Sequence, residues 1–218
     1  FKIETAATVK AGNGSGTRTL TIDNATLDLS SPGASLSMKG DNYTRYKVTV
    51  TNGGVLRVGE YAYDGAGLGS MAVNTGYWTL NNGRLEITKE SDGTFGNGLT
   101  VAAGGGAVEV VNAGSTMSIT ADNTHNIQLN GALTITGAGN MITGSDNAFR
   151  GTGRLIKDGS GTLTLANSSS FTGGVELKGG TLIVSHASGM GTNKHLSVTG
   201  NAAIGGISAG YGGLSLSG

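Results

Sequence analysis

No cysteine occurs in the 218 residues, and there is a single proline. The first absence removes disulfides and thiolate metal sites. It also suits a chain that must stay unfolded while crossing an oxidising envelope, because no thiol can lock it part-way. Aromatics make up only 5% and charged residues 13%, with basic and acidic residues balanced at 14 each. A chain without net charge has no long-range field to draw in nucleic acid or an anionic membrane. No basic run interleaved with aromatics appears, so nucleic acid is not an expected partner. No apolar stretch is long enough for a spanning helix and no signal-peptide pattern is seen, so direct membrane insertion of this segment is not expected. No apolar set at i, i+3, i+4, i+7 persists over three turns, which argues against helices.

Glycine is what the chain has in abundance, with 41 residues. They follow no every-third-residue pattern, which excludes collagen. They coincide with turn dipeptides such as Asn52-Gly53, Asn82-Gly83 and Asp92-Gly93, which suit tight turns. Between the turns an apolar-polar-apolar triplet recurs: Leu20-Thr-Ile22, Leu27-Asp-Leu29, Val48-Thr-Val50, Leu85-Glu-Ile87, Val108-Glu-Val110, Leu133-Thr-Ile135, Leu163-Thr-Leu165 and Val175-Glu-Leu177 among them. Side chains alternate faces along a strand, so the outer two residues point in and the middle one points out. Where strand-like segments follow one another closely they start roughly seven to fourteen residues apart, which suits three short strands per coil of about 20 to 25 residues. The expected fold is all-β, a right-handed parallel β-helix of about ten coils and about 45 Å length, occupying residues 1–218. A transmembrane barrel would need longer strands and aromatic girdles. A β-sandwich would show longer strands and fewer glycine corners. The chain begins at Phe1 and ends at Leu214-Ser-Leu-Ser-Gly218 within a strand-like pattern. It reads as a segment of a longer rod, because solenoids carry polar caps at their ends.

The most regular stretch is Gly151-Thr-Gly-Arg-Leu-Ile-Lys-Asp-Gly-Ser-Gly-Thr-Leu-Thr-Leu165, followed by Phe171-Thr-Gly-Gly174 and Gly179-Gly-Thr-Leu-Ile-Val184. No strand of it could bury its apolar side without a neighbouring copy. Residues 151–184 resemble the autotransporter-associated β-strand repeat, also called the passenger-associated transport repeat. The resemblance rests on Gly151, Gly153, Leu155, Lys157, Gly159, Gly161, Thr162, Leu163, Leu165, Phe171, Thr172, Gly173, Gly174, Gly180, Thr181 and Leu182. Ser-Ser-Phe171 stands where the family has Asn-Thr-Tyr. The resemblance implies a β-helical passenger of a bacterial surface or secreted protein, anchored in the outer membrane through sequence C-terminal to this segment. It also implies that the repeat assists translocation.

Chemistry-bearing residues are sparse. Gly206-Ile-Ser208-Ala-Gly210 fits the nucleophile-elbow spacing but lacks its strand-turn-helix context. His125, His186 and His195 show no metal-ligand spacing, and no metal or other cofactor is expected. Glu86, Glu109 and Glu176 are middle residues of triplets and should face solvent. Glu86 and Glu109 could share a face about one coil apart, the nearest approach to the paired carboxylates of a glycan-cleaving enzyme. Catalysis is not the expected function, and a carbohydrate-active β-helical lyase or hydrolase is the alternative. The aromatic residues are uneven: Tyr43, Tyr46, Tyr61, Tyr63, Tyr77 and Trp78 fall in one stretch, 43–78. Aromatic faces stack on sugars or partner side chains, which makes these six the candidate binding residues of a loop insertion. The competing interpretation has them packing beneath that loop. If they bind, Trp78→Ala weakens adhesion and leaves the rod intact. The expected function is a structural and adhesive scaffold at the bacterial surface, meeting a host-cell surface, a glycan or its own copies. A pure spacer is the remaining alternative.

Overall fold

Short alternating segments punctuated by glycine and asparagine form strands of 3 to 8 residues. Each is too short to be stable alone, so each adds to the strand one coil earlier. The computed structural model describes residues 8–10, 16–31, 35–37, 44–59, 77–95, 98–120, 126–206 and 213–216, with side chains from residue 19 onward except at 35–37, 44–46, 77 and 213–216. Among these residues there is no helix, and every strand pairing is parallel. The chain is a parallel β-solenoid.

Three sheets form its faces. The first face stacks Gly16–Asp23, Thr44–Thr51, Tyr77–Asn81, Gly98–Val101, Ile127–Leu129 and Phe149–Gly151. The second is nine-stranded and runs from Thr26–Leu29 to Gly213–Leu216. The third stacks Gly93–Phe95, Thr116–Ile119, Asn140–Thr143, Thr162–Leu165, Gly180–Val184 and Ala202–Gly205. A separate parallel pair joins Thr8–Lys10 to Ser35–Ser37. The nine-stranded second face counts nine rungs, one per coil, against the ten expected. Early coils are longer than the 20 to 25 residues expected, and later ones fall within that range. Thr51 and Asn81 are rung neighbours yet lie 30 residues apart.

The interior is made of columns in which one apolar residue sits on the next. On the first face Val48, Trp78, Leu99, Ile127 and Phe149 are in register, and so are Ile22, Val50, Leu80, Val101 and Leu129. On the second face Leu27, Leu56, Leu85, Val108 and Ile135 form one column. All these residues are buried, each contributing about 1.5–3 kcal/mol of transfer free energy. Beyond Gly151 the first face narrows to a turn, yet its ladder continues. Ser170 N donates to Phe149 O at 2.9 Å and Thr172 N to Gly151 O at 2.9 Å. Phe171 therefore still points inward, edge-on to Phe149 with ring centroids 6.2 Å apart.

The outward side of the second face is charged, and its charges are paired along the rod. Arg57 lies in register between Asp28 and Glu86. Its guanidinium donates to Asp28 Oδ2 at 2.8 Å and to Glu86 Oε2 at 2.6 Å. Arg84 continues the series, 3.4 Å from Glu86 Oε1 and 3.0 Å from Glu109 Oε2. Glu86 was expected to face solvent. It points outward, but the two arginines cover it and it is 8% exposed. Burial pushes the Asp28 carboxyl up, while hydrogen bonds from Ser30 and Arg57 pull it down further, leaving it below 3.8. Glu176 is likewise held below 4.5, where hydrogen bonding by Arg154 and the charge of Lys178 outweigh burial. A depressed carboxylate contributes stability that is full above its unfolded value and is lost as pH falls through its folded one. Urea midpoints should therefore be flat near neutrality and drop as pH falls below the ordinary carboxylate range. Asp28→Asn should remove part of that drop.

Candidate functional site

In the regular stretch 151–184 two kinds of residue bring successive coils into close contact. The first is glycine at the corner between the second and third faces. A Cβ on Gly161 would lie 1.9 Å from the carbonyl oxygen of Gly139 in the preceding coil. No side chain fits there without moving backbone. Gly161→Ala should cost about 1–3 kcal/mol, read as a lowered urea midpoint with lost amide protection over Gly139 and Gly161.

The second is a buried lysine. Lys157 occupies an inward column of the second face, in register with Ile135 on one side and Leu177 on the other. It is 1% exposed. Its ammonium donates to Asp158 O at 2.6 Å, to Gly159 O at 2.9 Å and, in the next coil, to Gly179 O at 3.3 Å. Burial pushes the ammonium below the ordinary lysine range, against the pull of Asp158. Three carbonyl acceptors match the three donors of an ammonium, so the charge is buried with its hydrogen bonds made, as burial demands. Gly180 makes the room. Its φ is +71°, and a Cβ there would lie 2.8 Å from Lys157 Nζ and 2.2 Å from Gly159 O. The leucine-x-lysine and glycine-glycine parts of the repeat are thus two halves of one contact between successive coils.

Lys157 entered the sequence reading only as a motif position. The alternation rule does not find it, because Leu155-Ile-Lys157 puts Ile156 outside and the lysine inside. The available signal was a break in the column: where neighbouring coils place Ile135 and Leu177, this one places a lysine.

The other sequence candidates are not brought together. Tyr43, Tyr61 and Tyr63 lie outside the described residues. Tyr46 lies in Thr44–Thr51 and Tyr77 in Tyr77–Asn81, where Tyr77 pairs with Lys47 and Gly98. Trp78 is a correction. It is 1% exposed and packs edge-on to Phe95 across the interior, with ring centroids 6.4 Å apart and an interplanar angle of 85°. Alternation from Tyr77 turns it into the core, so it offers no surface for stacking. Glu86 and Glu109 are rung neighbours, as the spacing allowed. Arg84 bridges both. Ser208 and His125 lie outside the described residues. His186 Nδ1 accepts from Ser188 N at 3.1 Å, a local turn contact. Among the described residues no group of three His, Cys, Asp or Glu side chains could hold a metal ion.

The chain matches the family described as the passenger-associated-transport-repeat over residues 155–184. It is also similar to the protein named adhesin BmaC autotransporter from Brucella suis biovar 1 (strain 1330), at 32% identity over 149 residues. That similarity covers 67% of this chain and 4% of the relative, so the chain spans a small part of the relative it matches. No solved structure matches. The family match lies on the coils where Lys157 and Gly161 lock one rung to the next, and the chain is a β-solenoid segment of the autotransporter passenger class.

Proposed function

We propose that this segment is an adhesive scaffold at the bacterial surface and that its repeat assists secretion by folding early. A passenger acts at the cell surface or outside the cell. The anchoring of this one in the outer membrane would rest on sequence outside residues 1–218. The adhesive reading is supported by the relative, whose name is that of an adhesin. The secretion reading is supported by one observation above the rest: Lys157 closes its own turn through Asp158 and Gly159 and reaches Gly179 of the following coil. A stack grows by neighbour contacts. A coil that satisfies its own buried charge and also grips its successor is suited to fold first outside the membrane and hinder backsliding. The stretch 43–78 is the proposed place for adhesive loops, with Tyr43, Tyr46, Tyr61, Tyr63 and Tyr77 as contact residues.

The experiment is expression of the full-length protein with residues 151–184 scrambled, followed by measurement of passenger outside the cell and of cell attachment. The expected result is reduced export, with attachment per exported molecule unchanged. Equal export would end the secretion reading. Absence of attachment by well-exported wild-type protein would end the adhesive one.

A further inference from the structure

The three faces of the rod differ in charge, although the chain as a whole has none. Strands of the third face contain no charged residue. Acids of the second face are engaged by Arg57, Arg84, Arg154 and Lys178. Among the described side chains of the first face the cations Lys47 and Arg150 stand against one acid, Asp23. Asp23 lies at the strand's end and accepts from Asn52 Nδ2 at 2.9 Å.

Between its cations the first face presents a ladder of uncharged hydrogen-bonding groups. Thr21, Thr49, Thr79 and Thr100 are in register on four successive rungs, followed by Gln128 and then Arg150. Each alternates with buried neighbours and so projects outward. The column beside it holds Lys47 in register with Tyr77 and Gly98. Lys47 is exposed. Among the described residues neither Lys47 nor Arg150 has an acidic partner, and the buried Nε of Arg150 has no acceptor. Lys47 and Arg150 are four rungs apart, about 19 Å at the spacing of paired strands.

We propose that this face binds a linear acidic polysaccharide laid along the rod, of the kind with a carboxylate on alternate sugars. This gives the adhesive reading above a ligand class and rests on it. The rung spacing of about 4.8 Å is close to the advance of one sugar ring in an extended chain, so each threonine meets one ring. Carboxylates on every second ring then fall at both Lys47 and Arg150, and a guanidinium fork suits a carboxylate. Two cations this far apart match a sparsely charged chain. Nucleic acid carries one charge per about 1.7 Å of duplex and would be left largely unneutralised.

The test is calorimetric titration of the folded chain with hyaluronan octasaccharide, chitin oligosaccharide as the neutral control and heparin as the densely charged one. Hyaluronan should bind, with Arg150→Gln and Lys47→Gln each weakening it about tenfold. Thr79→Val/Thr100→Val should weaken it as well, with thermal unfolding unchanged in all three variants. Equal binding of the neutral chain, tighter binding of heparin, or no response to the substitutions would overturn the proposal. Attachment to cultured cells, measured in parallel, separates the two readings. Attachment without hyaluronan binding overturns the glycan assignment and leaves the adhesive reading standing, whereas absence of both removes both.

Discussion

Lys157→Ala should be among the most damaging single changes in the described solenoid, at a cost of about 3–5 kcal/mol. Two losses combine. The stem that fills the column between Ile135 and Leu177 disappears, and the carbonyls of Asp158, Gly159 and Gly179 lose their donor. Lys157→Met separates them, because methionine keeps most of the stem and removes only the ammonium. It should cost about 1–3 kcal/mol, the penalty for buried acceptors left unsatisfied. Urea unfolding of the three proteins gives the ranking, and amide exchange gives the location. Protection should fall first at Gly179 and in Gly180–Val184, the strand that follows the contact. A methionine variant as stable as the wild type would mean that the hydrogen bonds contribute nothing net and that the lysine only fills space.

Trp78→Ala should cost a similar amount, about 3–5 kcal/mol, for a different reason. The indole is the largest fully buried side chain and reaches across the interior to Phe95 on the third face. Truncation leaves a cavity between two sheets that cannot collapse without shifting a rung. Trp78→Phe should be far milder, at about 1.5 kcal/mol or less. It keeps the edge-on contact, and the indole N–H it removes has no acceptor. Urea midpoints of both variants check this, with a large gap between Ala and Phe as the expected result. Near-equal losses would show that the indole nitrogen is bonded after all.

The parts of the fold that depend on alternation were legible in the sequence. Leu85-Glu-Ile87 and Val108-Glu-Val110 place their apolar residues inside and their glutamates outside, in register. Alternation fixes the face of a residue and says nothing of how many residues a coil takes. That is why the 30-residue step from Thr51 to its rung neighbour Asn81 could be met only as an aromatic-rich stretch, with no coil length attached. Trp78 shows the limit in the other direction. A cluster of aromatics in sequence resembles a binding patch, yet in a strand neighbouring residues point to opposite faces. Lys157 was hidden because composition rules keep lysine outside, and only the backbone of the following coil reveals its acceptors. The charge difference among the faces was invisible for the same reason. Lys47 and Arg150 come to share one face only once the rungs are stacked.

The absence of cysteine makes disulfide trapping the most direct test of the stack itself. Thr79 and Thr100 are registered on adjacent rungs of the first face, and Thr164 and Ile183 on adjacent rungs of the third. Such neighbours sit about 4.8 Å apart, within the range a disulfide spans. Thr79→Cys/Thr100→Cys and Thr164→Cys/Ile183→Cys should both oxidise within the monomer, and Thr79→Cys/Thr164→Cys, which joins different faces, should not. Failure of the registered pairs to close, or closure of the mismatched pair at the same rate, would contradict the parallel stacking on which every assignment above depends.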